Sequence, residues 1–179
     1  MPAIPSPSLP PAPEEISGTL RRVFGAALQP HRPAGSPGHF VGDFNGDGSE
    51  DLMVVARPAP SADALAAIND SLAPWIIRDA LQPTAPRVAA SPQALVVKDE
   101  ALLAVVHGYQ ASGWRHPESR HGYLLRNAVG DGMLARPSAE VIVVGQPGAR
   151  AVGHVLTGRI DGRSGYLYWT GGRYLWRRM

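Results

Sequence analysis

Two apolar runs, His39-Phe40-Val41 and Leu52-Met53-Val54-Val55-Ala56, flank a stretch that must turn the chain within ten residues. That stretch, residues 42–51, carries Asp43, Asp47, Glu50 and Asp51 and the glycines Gly42, Gly46 and Gly48. Gly46 and Gly48 relieve the turn where a Cβ would clash. A strand, a tight acidic loop and a second strand follow from this pattern, and the rest of the chain must pack around them.

Elsewhere proline and glycine cut the sequence into short pieces. There are 18 prolines and 20 glycines, which favours a turn-rich, β-rich fold. Residues 1–13 hold six prolines and read as an extended, disordered arm. Residues 14–179 read as one β-rich domain. Glu14 to Leu28 has acids first and then Leu20, Val23, Phe24 and Leu28 at helical spacing, so a short amphipathic helix is expected. Gln29 to Gly38 reads as loop. Arg57-Pro58-Ala59-Pro60 ends the strand after the acidic loop. Ser61 is placed to cap a helix over Ala62 to Leu72, with Leu65, Ile68 and Leu72 on one face. Pro74-Trp75-Ile76-Ile77 follows.

Ala94 to Val97 and Ala101 to Val106, joined by Lys98-Asp99-Glu100, read as a buried hairpin. Further strand candidates are Gly122 to Arg126, Glu140 to Val144 and Val152 to Thr157. The C-terminus reads as a second hairpin, Gly165 to Trp169 and Arg173 to Trp176, around Thr170-Gly171-Gly172. The sum is seven or eight short strands with one or two short helices. The expected fold is mainly β, a small antiparallel sheet that is partial-propeller or sandwich-like.

The side chains of the acidic loop suggest an ion. Asp43, Asn45 and Asp47 fall at alternate positions, Ser49 and Asp51 continue the series, and a curled loop turns such positions toward one point. Carboxylates gathered there repel one another unless a cation offsets the charge. Ca²⁺ takes about 6–8 oxygen ligands, whereas Mg²⁺ keeps more water and Zn²⁺ favours His or Cys. Ser49 would give its backbone carbonyl, Asp51 would bind directly or through water, and Glu50 would point to solvent. The EF-hand pattern needs an acid at the twelfth place, and here that place is Val54. The alternative is an ion-free acidic turn held by Asn-Gly and Asp-Gly geometry.

The run from Phe40 to Val54 resembles the FG-GAP/VCBS calcium repeat of integrin-like β-propellers and many secreted bacterial proteins. The resemblance implies that Asp43, Asn45, Asp47, Ser49 and Asp51 are calcium ligands. Val129-Gly130-Asp131-Gly132 and Ile160-Asp161-Gly162-Arg163-Ser164-Gly165 are faint echoes with one acid each. The remainder, ending in a Gly-Tyr-Leu-Tyr-Trp hairpin, is similar to small bacterial proteins that carry one such loop.

Other residues invite other readings. His107-Gly108 after an apolar strand is compatible with a hydrolase-like enzyme, although no Gly-x-Ser-x-Gly elbow is present. His116, Glu118 and His121 would be a candidate zinc cluster, but their spacing matches no helical metal motif. Trp114, Trp169 and Trp176 would form a platform for a glycan or another protein, or else core packing. Residues 150–179 carry six arginines, one aspartate and several aromatics, yet these aromatics read most simply as strand core rather than as a nucleic-acid surface. The net charge is only +2.

No cysteine is present, which excludes disulfides and thiolate metal sites. No apolar run approaches the ~18 residues of a membrane span. A calcium loop of moderate affinity fills where calcium is abundant, so a periplasmic or secreted location is expected, although no signal peptide is visible in the sequence. The leading expectation is a non-enzymatic, calcium-binding β-rich module.

Overall fold

The computed structural model describes residues 9–81, 95–141 and 152–179. Among these, ten strands form two sheets, with two longer helices, one single helical turn and one 3-10 turn. The six-stranded sheet is built from β1 (Leu28–Pro30), β2 (His39–Gly42), β3 (Asp51–Pro58), β4 (Ile76–Asp79), β5 (Leu102–Val106) and β6 (Gly122–Arg126). Its order is β1-β3-β5-β6-β4, and β2 also pairs with β3. All of its pairings are antiparallel except β4 with β6, which is parallel. The four-stranded sheet contains β7 (Asp131–Pro137), β8 (His154–Ile160), β9 (Arg163–Trp169) and β10 (Tyr174–Arg178) in the order β10-β9-β8-β7. The mainly β fold expected from the sequence is what forms, and its form is a two-sheet sandwich with a helix on its outer side.

The β3 and β5 strands explain the layering. Five consecutive residues of each, Leu52–Ala56 and Leu102–Val106, are fully or almost fully buried. Strands buried on both faces read as continuous apolar runs rather than alternating ones. One face, with Leu52, Val54, Ala56, Leu102, Ala104 and Leu124, packs under the helix α1 (Pro13–Phe24). The other, with Met53, Val55, Leu103, Val105 and Leu125, meets Met133, Leu156, Leu167 and Tyr174 of the second sheet.

α1 forms because its apolar residues recur at helical spacing. Ile16, Thr19, Leu20, Val23 and Phe24 are buried together. Pro13 stands at the first helical position, where its missing N–H costs nothing. The acids Glu14 and Glu15 open the helix and Arg21 and Arg22 close it, matching its dipole. The helix stops at Phe24, where Gly25 has φ +60°. Leu28 therefore belongs to β1, and Gln29 and Pro30, read as loop, pair with Arg57 and Ala56.

Other expectations are corrected in a similar way. Ser61 does cap the next helix, α2 (Ala62–Ile68), its Oγ accepting the Ala64 N–H at 3.1 Å. The helix is shorter than expected, and Leu72 lies exposed beyond its end. The hairpin of residues 94–97 with 101–106 does not form in the described part. Both edges of β5 are taken by β3 and β6, so Leu95–Val97 has no strand to join and runs into a turn closed by Glu100 N–H to Val97 O. Ala94 lies outside the described residues, as do residues 142–144 of the proposed strand 140–144. The start of that strand is instead the helical turn Ser138–Val141. The two faint loop echoes belong to the second sheet. Asp131 and Gly132 begin β7, and Asp161-Gly162, both at positive φ, make the two-residue turn between β8 and β9. The C-terminal hairpin forms as expected, with Tyr174 opposite Trp169 and Trp176 opposite Leu167. Among the described residues no helix is long and apolar enough to cross a membrane.

Leu103 is fully buried at the centre of the inter-sheet core. Leu103→Ala should lower stability by about 2–5 kcal/mol, read as a fall in the urea midpoint with an unchanged m-value.

Candidate functional site

The acidic loop closes between Gly42 and Asp51, which are paired across β2 and β3. Its carboxylates fold inward onto backbone amides. Asp43 Oδ1 accepts the N–H groups of Gly46 at 2.7 Å and Asp47 at 3.1 Å, and its Oδ2 accepts that of Gly48 at 3.0 Å. Asn45 Oδ1 accepts the Asp47 N–H at 3.1 Å, and Asn45 Nδ2 donates to Asp47 Oδ2 at 2.9 Å. Asp47 Oδ1 accepts the Ser49 N–H at 2.7 Å. Gly46 and Gly48 sit at φ +75° and +87°, a region that side chains with a Cβ rarely adopt.

Asp51 plays a separate part. It is fully buried. Oδ2 accepts the N–H groups of Phe44 at 2.8 Å and Asn45 at 3.1 Å, and Oδ1 accepts that of Gly108 at 2.7 Å. Burial pushes its carboxyl up to about 7, against the pull of these three amides. One side chain thus joins the two ends of the loop to the segment that follows β5.

The loop is clasped from both sides. On the second sheet, His154 N–H donates to Asp43 O at 2.7 Å, while His154 Nδ1 accepts the Asp43 N–H at 3.2 Å. Gly153 packs so closely that an added Cβ would lie 2.1 Å from Asp43 O. Phe44 drops into the inter-sheet core. On the other side, Glu50 O accepts the Trp114 N–H at 2.8 Å. Its side chain, expected in solvent, instead takes the indole N–H of Trp114 at 3.0 Å and Arg115 at 3.3 Å. Arg115 stacks on Trp114, 4.1 Å from the ring centroid, and reaches Glu15 of α1 at 2.9 Å. Gly108 and Gly113 have no room for a Cβ because Glu50 O lies against both.

Of the five proposed ligands, the structure brings Asp43, Asn45 and Asp47 together by direct hydrogen bonds. Ser49 joins them through its backbone N–H, and Asp51 is committed to the amides of Phe44, Asn45 and Gly108. Among the described residues no group of three or more His, Cys, Asp or Glu is arranged to hold a metal ion. The donor atoms are all oxygens, which is the chemistry a hard cation needs. A carboxylate offers about four acceptor sites, and Asp43 and Asp51 each use three on amides. A cation here would be held by Asp43, Asn45 and Asp47, with Asp51 as the buried support.

The other candidates are separated. His107 follows β5 and is 7% exposed; its Nε2 lies 2.8 Å from Tyr174 Oη. Burial, reinforced by neighbouring His121, pushes the imidazole down to about 4. Burial likewise raises the Tyr174 phenol, and the charges of Asp51, Asp43 and Asp47 add to this. His116 packs edge-on against Tyr109, whereas His121 packs against His107 and Tyr123, so the His116–Glu118–His121 cluster does not assemble. Trp114 is fully buried beneath α1, and Trp169 and Trp176 are half-buried against the inter-sheet core. The three tryptophans form no common platform.

No protein-family model, curated protein or solved structure matches this chain.

Replacing Asp51 removes the acceptor of three amides at once. Asp51→Ala should destabilise the fold by on the order of 3 kcal/mol or more, since each stranded buried group costs about 1–3 kcal/mol. Asp47→Ala, in the exposed part of the loop, should cost far less. Chemical denaturation with chelator present measures both, and equal losses would remove the distinction between support and outer loop.

Proposed function

We propose that the chain is a non-enzymatic, calcium-binding β-module of the FG-GAP/VCBS type, in which loop 42–51 takes one Ca²⁺ as a structural joint. The observation that carries this reading is the convergence of Asp43, Asn45 and Asp47, at alternate positions, within a loop wedged between the two sheets and the Trp114 turn. Asp43 and Asp47 bring two carboxyl side chains to one short loop, which favours a cation, and oxygen donors select a hard one. The loop touches His154 of β8 on one side and Trp114 and Arg115 on the other, so an ion that stiffens it strengthens contacts spread over the whole domain. This role suits a calcium-rich compartment outside the cytoplasm.

The ion-free acidic turn is the competing reading, and the amide bonds to Asp43 and Asp47 favour it. A hydrolase reading draws no support from His107, whose ring is packed among aromatic side chains and bonded to Tyr174.

Calorimetric titration and thermal melting separate the two. Calcium should bind with a Kd in or below the ~10⁻⁴–10⁻³ M range of extracellular modules. At about tenfold excess over Kd it should stabilise the fold by about 1.4 kcal/mol, seen as a rise in Tm that chelator reverses. Asp43→Ala and Asp47→Ala should each abolish that rise. No binding heat and no Tm shift in millimolar calcium would leave the ion-free turn.

A further inference from the structure

The seam between the two sheets holds a second cluster of polar groups that the loop does not use. His107, at the end of β5, is enclosed by Tyr123 of β6, Trp169 of β9 and Tyr174 of β10, with ring centroids 5.0, 5.1 and 5.8 Å away. His121, exposed at the start of β6, stands edge-on to it at 5.9 Å. The His107 N–H donates to His121 O at 3.0 Å, and Ser119 Oγ–H donates to His107 O. The bond from His107 Nε2 to Tyr174 Oη crosses from one sheet to the other. Nearby, the Trp176 N–H reaches Ala80 O at 2.9 Å.

We propose that this seam is an acid-sensitive joint: protonation of His107, opposed by its neighbour His121, releases the β9–β10 hairpin from the six-stranded sheet before that sheet unfolds. The charged and titratable groups around His107 are few, and they include Asp51, whose Oδ1 accepts the N–H of the His107–Gly108 peptide. Tyr174 and Tyr123 are neutral, with Arg78 acting on Tyr123 from β4. His121 disfavours a charge on His107, and only Asp47 of the loop favours one, as the weakest of the three influences. An imidazolium here needs water, and the exposed ring of His121 stands beside it. Opening there costs the contacts of Trp169 and Tyr174 but leaves the β3–β5 and β5–β6 ladders intact.

The direction of the pH effect follows from the burial of His107. An unfolded chain protonates this imidazole near 6.5, and the closed seam only near 4. Between these values the open form binds more protons, so the closed form is lost as pH falls through that window and levels off below it.

Hydrogen exchange with mass spectrometry, in chelator and corrected for intrinsic rates, tests this on the full chain. From pH 7 to pH 5 the opening constant of the Trp176 amide, which bonds Ala80 O across the seam, should rise by up to about tenfold per unit, ahead of the β3 and β5 amides. Exchange of the Trp176 amide in step with β3 and β5 overturns the proposal. NMR titration of the wild-type imidazoles should place His107 well below an ordinary histidine, and a midpoint near 6.5 overturns it equally. His107→Gln, which keeps a partner for Tyr174, should flatten the acid response; should that variant not fold, His121→Gln should weaken the response by removing the repulsion. A variant that folds and keeps the full wild-type response overturns the assignment.

Discussion

The Asp51 carboxylate is the interaction on which the arrangement depends. It begins β3, one of the two central buried strands, and its two oxygens hold Phe44 and Asn45 on one side and Gly108 on the other. Without an acceptor at that point, three amides would lie in a poorly solvated pocket, each at a cost comparable to a lost hydrogen bond. The loop would then have no reason to curl back over β3. Its curl presents Asp43 to His154, Glu50 to Trp114 and Phe44 to the core between the sheets. A single acid thus aligns elements that come from three distant parts of the chain.

Local chemistry was the part of this structure most open to reading from sequence. The Leu52–Ala56 strand, the Ser61 cap and the C-terminal hairpin each carry their instruction within a few residues. The loop's curvature was equally legible, because Gly46 and Gly48 stand where positive φ is required. Partnerships across the chain were not legible. Nothing near Glu50 shows that Trp114 and Arg115 will claim its carboxylate, and nothing near Asp43 points to His154. The only local trace is the set of glycines, Gly108, Gly113 and Gly153, whose missing side chains admit the loop's carbonyls. Taken one at a time they look like ordinary turn residues.

The errors in assigning strands share a cause. Leu95–Val97 has the composition of a strand, but β5 already has a partner on each side. Asp131-Gly132 resembles a broken ion loop, but β8 recruits it as an edge. Apolar content decides that a segment prefers burial; the number of free sheet edges decides whether it can pair. That count belongs to the finished sheet and to no single window of residues. The tryptophans show the same limit, since Trp114 and Trp169 share a composition signal and end up in different cores.

The glycine contacts have a bearing on how such a loop could be moved between proteins. Backbone meets backbone at Gly108, Gly113 and Gly153, so the recipient surface is as specific as the loop that lands on it. Residues 40–54 are therefore no portable cassette. Transplanted alone they would carry the acids but not the three gaps that receive their carbonyls, and a host would have to supply bare backbone at matching places before the loop could keep its shape.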